Sequence, residues 1–309
     1  MRALITGATG YIGTALARHL HTAKWEVHTL LRASSDPAHL GAAVQDITCH
    51  RIDESEGGAA VALVEAVQPD CVFHLASRIQ PSHTASDIRP LLASNIALGV
   101  ELLEGIARIN ADRQSASSVL VAAGTYWAHG ERGEGAPNSL YAASKHAFEA
   151  FLPFYSQHRG VPCCSLLLYD VYGPRDPRGK LIPTLVESAL SKQSSPLAMS
   201  PGDQLLDLVY QDDVVRGFVI AAEGLRAGSI DAGRYRLDSG ERVSLKALVE
   251  KIATIAGHAP AVEFGARPYP GNQIMVPLGT GPRLPGWDPA VSLAQGLQTL
   301  LSADPEASS

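Results

Sequence analysis

Tyr141-Ala-Ala-Ser-Lys145 sets a phenol and an ammonium four residues apart. On a helix such positions share one face, one above the other. A phenol with its ordinary pKa of about 10 exchanges protons poorly near neutrality. A fixed positive charge beside it favours phenolate. The pair therefore reads as a general acid/base, Tyr141, tuned by Lys145. Upstream, Thr125 offers a hydroxyl to hold a substrate oxygen. Tyr and Lys at this spacing are common in helices, so the reading depends on its surroundings.

Those surroundings begin at the first residues. Arg2 to Thr6 reads as a short buried strand, followed by Gly7-Ala8-Thr9-Gly10-Tyr11-Ile12-Gly13 and a helical pattern to Trp25. Strand, glycine-rich turn and helix suit a dinucleotide pyrophosphate. The glycines permit close backbone approach, and the helix N-terminus offers free N–H groups and partial positive charge. The spacing is G-x-x-G-x-x-G rather than G-x-G-x-x-G. The cofactor set therefore starts with Gly7, Thr9, Gly10, Tyr11, Ile12 and Gly13.

The second strand, Glu26 to Leu31, ends where such folds read the adenosine ribose. An acid there would accept from the 2′-hydroxyl of NAD. This chain has Arg32, with Ser34 and Ser35 behind it, and a guanidinium suits a phosphate. The expected cofactor is NADP; the bland alternative is an Arg lying on adenine or in solvent. A third strand, Ile47 to Asp53, ends in an acid able to reach the adenine amino group. After a helix at 59–67, a fourth strand, Cys71 to Ser77, carries Leu75, Ala76 and Ser77 into a loop over the cofactor. His74 reads as a core histidine. A helix spans Asn95 to Ala107, and a fifth strand at Ser118 to Ala122 delivers Gly124 and Thr125. Ser139 is a plausible N-cap for the helix of Tyr141 and Lys145, in which Pro153 predicts a bend or an early end.

Alternating strands and helices predict a Rossmann-type, doubly wound parallel α/β sheet. After a sixth strand, Cys163 to Tyr169, prolines and glycines multiply. Residues 1–170 are expected to form the dinucleotide-binding domain, with segments near 206–235 returning to it. Residues 171–309 are expected to form a smaller, discontinuous, mixed α/β substrate lobe over the strand ends. Helices at 184–192 and 212–224 and a strand at 205–210 are expected there, and residues 303–309 are expected to fray.

Bulk properties exclude other classes. The chain has 309 residues, 46% hydrophobic and 18% charged, which reads as a folded domain rather than a disordered one. A net charge of −6 offers no basic face for nucleic acid. No apolar run is read as approaching the roughly 20 residues of a membrane span. The N-terminus runs straight into the glycine turn, predicting no signal peptide. Cys49, Cys71, Cys163 and Cys164 form no C-x-x-C pair and read as buried free thiols in a reducing cytoplasm.

Taken together, GATGYIG, HLAS, Thr125, YAASK, YDVYGPR, LDLVYQDDVVRG at 206–217 and LPGWDPAVSLAQGL at 284–297 resemble the extended short-chain dehydrogenase/reductases that act on nucleotide-diphosphate sugars. The resemblance covers nearly the whole chain. It implies that Thr125, Tyr141 and Lys145 are catalytic. It further implies that Asn95 and Val171 stand with Tyr141 and Lys145 around the cofactor, and that Asp213 is structural. Where the 4,6-dehydratases of this family carry two acids after the threonine, this chain has Tyr126 and Trp127, which argues against water elimination. Where relatives carry Arg before the acid at 207, it has Leu206. Arg175, Lys180 and Arg267 are then the candidates to meet a diphosphate, with Arg78, Thr125 and Asp170 completing the substrate set.

The wording around Thr125 looks most like the branch that reduces 4-keto-6-deoxyhexoses. The expected activity is accordingly NADPH-dependent reduction of a C4 ketone on a dTDP- or CDP-linked sugar, by a cytoplasmic homodimer without metal. Two enzyme alternatives stand beside it: an epimerase of NDP-sugars with bound NAD, told apart at Arg32, and a reductase of a non-sugar carbonyl. A non-catalytic NADP-binding sensor is the reading from another class.

Overall fold

The computed structural model describes residues 1–52, 57–112, 117–130, 136–191 and 195–302, without the side chains of 42–44. The strands are β1 (Arg2–Thr6), β2 (Glu26–Arg32), β3 (Thr48–Ile52), β4 (Cys71–His74), β5 (Val119–Thr125) and β6 (Cys163–Leu168). They continue as β7 (Asp170–Tyr172), β8 (Leu197–Met199), β9 (Leu205–Tyr210), β10 (Gly233–Leu237), β11 (Arg242–Ser244) and β12 (Val262–Phe264). The α-helices are α1 (Tyr11–Thr22), α2 (Ala59–Val67), α3 (Ile88–Leu92), α4 (Leu98–Asp112) and α5 (Leu140–Glu149). After these come α6 (Phe151–His158), α7 (Leu181–Ser191), α8 (Gln211–Ala227), α9 (Leu245–Ala256) and α10 (Leu293–Ser302).

Seven strands form one sheet in the order β10-β6-β5-β4-β1-β2-β3, every pair parallel. The chain winds outward from β1 to β3, returns to β4 beside β1, and winds the other way. The fold is thus a Rossmann-type doubly wound sheet with a smaller mixed lobe. The reversal leaves a crevice at the carboxyl ends of β1 and β4, where such sheets take their ligands. Central strands are buried on both faces and read as apolar runs, CVFH in β4 and VLVAA in β5. Leu16, Leu20, Phe218, Ala221 and Trp287 fill one face of the sheet, and Val64, Leu102, Leu103, Ile106 and Phe148 fill the other.

Beyond the strand ends, β9 pairs parallel with β7 and antiparallel with β11, while β8 and β12 form a separate pair. Leu185, Leu248, Ile252 and Leu297 make a third core between α7, α9 and α10. The 284–291 segment reaches back to α8. Trp287 Nε1 donates to the Asp213 carbonyl at 2.8 Å, and the Asp213 carboxylate accepts from the Ala290 and Val291 amides at 3.0 and 2.9 Å. Asp213 therefore does structural work.

Several elements differ from the sequence reading in extent. β4 ends at His74 rather than Ser77, because Leu75 and Ala76 turn their amides onto the Thr6 carbonyl and hydroxyl, at 3.1 Å each. β5 runs on through Thr125, paired with Leu168. The helix expected from Asn95 begins with a π turn at Ala93–Ala97 and lasts to Asp112. α5 and α6 meet at Ala150. Pro153, with no N–H to give the carbonyl four residues back, breaks the ladder there. The helical run Ala85–Asp112 is long and apolar enough to cross a bilayer by length and composition, which the sequence reading missed; 56% of its most apolar window is packed inside the fold, as in a core helix.

Candidate active site

The turn after β1 is a backbone cradle. Gly7 has φ +72°, and a Cβ on it would lie 2.6 Å from the Ala76 amide nitrogen. A Cβ on Gly13 would lie 2.1 Å from the Gly7 carbonyl oxygen. Both glycines are therefore demanded by close approach, Gly7 to the loop after β4 and Gly13 to the turn itself. Gly10 caps α1 with no side chain, so the helix presents free N–H groups to the crevice. Beneath the turn, Thr6 Oγ1 and His74 Nδ1 are 2.9 Å apart, fully buried. Burial and the Lys145 charge drive the His74 pKa down to about 3, keeping the ring neutral.

This turn lines a cleft of about 590 Å³, within the ordinary range for ligand pockets. Thr9, Tyr11, Ile12, Arg32, Ser35, Leu75, Ala76 and Ser77 line it, as do Thr125, Tyr141, Lys145, Asp170, Val171 and Lys180. Thr125 closes β5, with its hydroxyl accepting from the Trp127 amide at 3.3 Å. Ser139 caps α5 by accepting from the Ala142 amide at 3.2 Å, and the helix then aims Tyr141 and Lys145 together. The Trp127 ring stands edge-on to Tyr141, with centroids 6.1 Å apart. All three residues expected to be catalytic are buried, Lys145 being 2% exposed.

The electrostatics differ from the expectation. The Tyr141 pKa is pushed up to about 12 by burial, against the pull of the Thr125 and Ser77 side chains. Lys145 is not what offsets it, because burial acts on that ammonium too and lowers its pKa to about 8, opposed by Glu149. Among the described residues, Lys145 Nζ makes no hydrogen bond. A buried donor of this kind calls for an acceptor.

Asn95 is fully buried in the π turn and stands behind the cleft rather than on it. Its Oδ1 accepts from the Arg78 amide at 2.8 Å and from Ser77 Oγ at 3.2 Å, while its Nδ2 donates to Ser144 Oγ at 2.9 Å. It pins the loop after β4 to α5, and the widened π turn makes room for it. Ser34, Arg78, Arg175 and Arg267 do not reach the cleft. Arg78 turns to Asp87 at 3.3 Å, Arg175 and Arg267 are exposed, and Asp53 lies outside the described residues.

Arg178 is the cleft cation that the sequence reading missed. Its guanidinium lies 4.2 Å over the Tyr11 ring, grips Asp176 at 2.6 Å and donates to the Val171 carbonyl at 2.9 Å. Nothing local separates it from Arg175, three residues earlier. His39, Ile79, Ser94, Trp127, Leu206 and Leu208 also join the lining. Tyr126 stacks on Tyr169, with centroids 5.1 Å apart, and donates to Asp170 Oδ2 at 3.3 Å. Burial lifts the Asp170 pKa to about 6, with Tyr126 and Lys180 pulling it down.

The family model "NAD dependent epimerase/dehydratase family" matches residues 3–233. The chain is 29% identical to the UDP-glucose 4-epimerase of Mycolicibacterium smegmatis, over 96% of each. It is 24% identical to the CDP-abequose synthase of Salmonella muenchen, over 97% of this chain and 96% of that one. Among solved structures it resembles the Thermus thermophilus UDP-glucose 4-epimerase complex with NAD, with a TM-score of 0.77 and 26% identity over 97% of this chain and 98% of that one.

These findings correct two expectations. NADP is replaced by NAD, the cofactor in the family's description and in the Thermus structure. The expectation rested on Arg32, but an exposed guanidinium at the ribose end requires no phosphate, since it also stacks on rings such as adenine. The NADPH-dependent 4-ketoreductase reading falls with it. It rested on the wording around Thr125, which does not separate one direction of hydride transfer from the other. The matched model spans three quarters of the chain, glycine turn and Tyr-Lys helix included: the chain belongs to the NAD-dependent epimerase/dehydratase family, an oxidoreductase-type enzyme family.

Proposed function

We propose that the chain is an NAD-dependent epimerase of nucleotide-diphosphate sugars, inverting one carbinol of the hexose, with Thr125, Tyr141 and Lys145 as its catalytic residues. The observation that carries this is the grouping of those three on the wall of one cleft with the glycine turn, and the two aromatic residues, Tyr126 and Trp127, that follow Thr125. Water elimination needs an acid and a base beside the threonine, and neither ring supplies them. The relatives named UDP-glucose 4-epimerase support the same class.

The cleft fits a dinucleotide on three counts: a tight turn whose glycines leave no room for a Cβ against neighbouring backbone, a helix N-terminus with no side-chain cap, and a buried Lys145 Nζ without an acceptor among the described residues. When bound, NAD takes up and returns hydride and brings a cationic ring. Thr125 holds the sugar oxygen by hydrogen bond. Tyr141 takes the carbinol proton from that oxygen and gives it back after the hydride returns. Its high resting pKa keeps the phenol protonated in the empty cleft, so positive charge beside it is what readies the phenolate. With the cofactor bound, Lys145 would supply part of that charge, and its Nζ would hold ribose hydroxyls. Ser77 and Thr125 stabilise the phenolate in turn. Gly7 to Gly13, Arg32, Ser35 and Leu75 to Ser77 hold the dinucleotide.

Asp170, with Tyr126 and Lys180, forms a polar wall for the sugar, and Lys180 and Arg178 replace the cation missing before Asp207. The first lobe comprises 1–170 and the returning α8 and β10, and 171–309 mainly selects the substrate. A homodimer through first-lobe helices belongs to the same proposal, with exposed Leu92, Phe151 and Phe154 as its apolar contacts.

The test is incubation of purified protein with NAD and UDP-, dTDP- or CDP-hexoses, followed by NMR of the sugar. The expected result is inversion at one carbon with no net gain or loss of NADH. Stoichiometric consumption of a reduced nicotinamide, or loss of water from the sugar, would overturn the proposal.

A further inference from the structure

Glu149 stands one helical turn beyond Lys145 on α5, on the same face. Its side chain is 9% exposed, and both oxygens are engaged. Oε1 accepts from Ser165 Oγ on β6 at 2.7 Å. Oε2 lies 3.3 Å from Arg234 Nη1 on β10, 3.8 Å from His129 Nε2 and 3.9 Å from His146 Nδ1. The strand that delivers Thr125 is shaped around this carboxylate. A Cβ on Gly124 would sit 2.5 Å from Ser165 Oγ and 2.9 Å from Glu149 Oε1. Gly124 is thus the gap through which the end of α5 is tied beneath the catalytic strand. His129, His146 and Glu149 also offer ligand atoms within 4.8 Å of one another. The Arg234 guanidinium on the same oxygen occupies that position with positive charge and disfavours a metal ion there.

We propose that Glu149 is a positioning residue, the buried counter-charge that keeps Lys145 an ammonium at working pH and ties α5 to β6 beneath Gly124. Burial alone pushes the Lys145 proton off, and Glu149 is the charge that opposes this. From β4, His74 faces Lys145 as a neutral ring and supplies no anion. Around Glu149 stand His129 from the segment after β5, His146 from α5 itself and Arg234 from β10; the last, as a fixed cation, weakens the field at Lys145 without cancelling it. Tyr141, the remaining titratable neighbour on α5, is uncharged while its phenol is protonated.

The inference rests on the catalytic role proposed for Lys145, but its test does not. The chain has six lysines, so protein labelled with carbon-13 at lysine Cε gives a spectrum that can be followed through a pH titration, with Lys145→Arg identifying the Lys145 signal. Glu149→Gln is expected to move the Lys145 midpoint down by about 1 pH unit or more, the usual effect of removing one nearby opposite charge, while Glu149→Asp restores it at least in part. Should Glu149→Gln fail to fold, Ser165→Ala frees the carboxylate without opening the core, and a smaller downward shift is expected. An unmoved midpoint in whichever of these variants folds would overturn the proposal. In turnover, the alkaline limb of the pH profile should move down with the midpoint, whereas a merely structural Glu149 would lower activity equally at every pH. A wild type without epimerase activity but with the Lys145 shift intact would reject the function and leave the pairing standing.

Discussion

The turn from Gly7 to Gly13 and the loop from Gly173 to Lys180 both line the cleft, built in opposite ways. The turn works through glycines without side chains, since each of their close approaches is to backbone. The loop works by side chains that reach: Arg178 joins Asp176, the Val171 carbonyl and the Tyr11 ring, so it also clasps the glycine turn. Gln211 adds a second tie, donating to the Tyr11 carbonyl at 2.9 Å. A backbone site is written into a few consecutive residues. A side-chain site is decided by where distant segments come to rest.

The largest expected effect lies on the ground between the two regions. Tyr141→Phe removes the proposed proton carrier alone, so kcat should fall by about 10²–10⁴ while NAD binding by calorimetry stays close to wild type. Parallel loss of both would mean that Tyr141 belongs to the cradle and not to the chemistry. Gly13→Ala attacks the backbone side. With a Cβ 2.1 Å from the Gly7 carbonyl, the turn must open. A stability loss of about 3 kcal/mol is expected from overpacking and backbone strain, together with loss of NAD binding. A variant that binds NAD normally would show that the turn tolerates side chains after all.

Acid should act on the buried support under the turn. His74 titrates near 6.5 when unfolded and near 3 when folded, so between these values the unfolded chain binds the extra proton. Stability present above pH 6.5 is therefore lost as pH falls towards 3, by up to a few kcal/mol at about 1.4 kcal/mol per unit. Chemical denaturation at several pH values checks this, and His74→Gln should flatten the curve. The loop side should respond more gently. Arg178→Ala removes one cation–π contact of about 1–2 kcal/mol, so NAD affinity should weaken by about 5–30-fold, with Tyr11→Ala matching it and Tyr11→Phe near wild type. Affinity unchanged in Arg178→Ala would mean that the clasp does not hold the cofactor.

Much of the fold was legible because it is local or periodic. The apolar runs of β1, β2 and β6, the glycine turn, the Ser139 cap and the Pro153 break all sit where the residues foretold them. The proposed site was legible where its members are neighbours, as with Gly7 to Gly13, or share a helix face, as with Tyr141 and Lys145. It was illegible in the loop after β7: Arg175, Arg178 and Lys180 look alike in sequence, yet Arg175 is exposed off the cleft and Arg178 stacks on Tyr11. Arg267, far along the chain, is exposed beside β8, where its amide donates to the Met199 carbonyl. The cofactor was misread for a related reason, because a single Arg32 at a strand end has more than one physical use.

From the residues alone followed the parallel, doubly wound class of the sheet, the cradle for a dinucleotide and the pairing of a phenol with an ammonium, since steric demand and helical spacing act over a few positions. Folding in three dimensions decided the rest. It buried Tyr141 and Lys145 deeply enough to push their pKa values apart, slid Glu149 under Gly124, and chose Arg178 as the clasp. Desolvation and contact between remote segments depend on the whole surrounding volume, which no short stretch of chain contains.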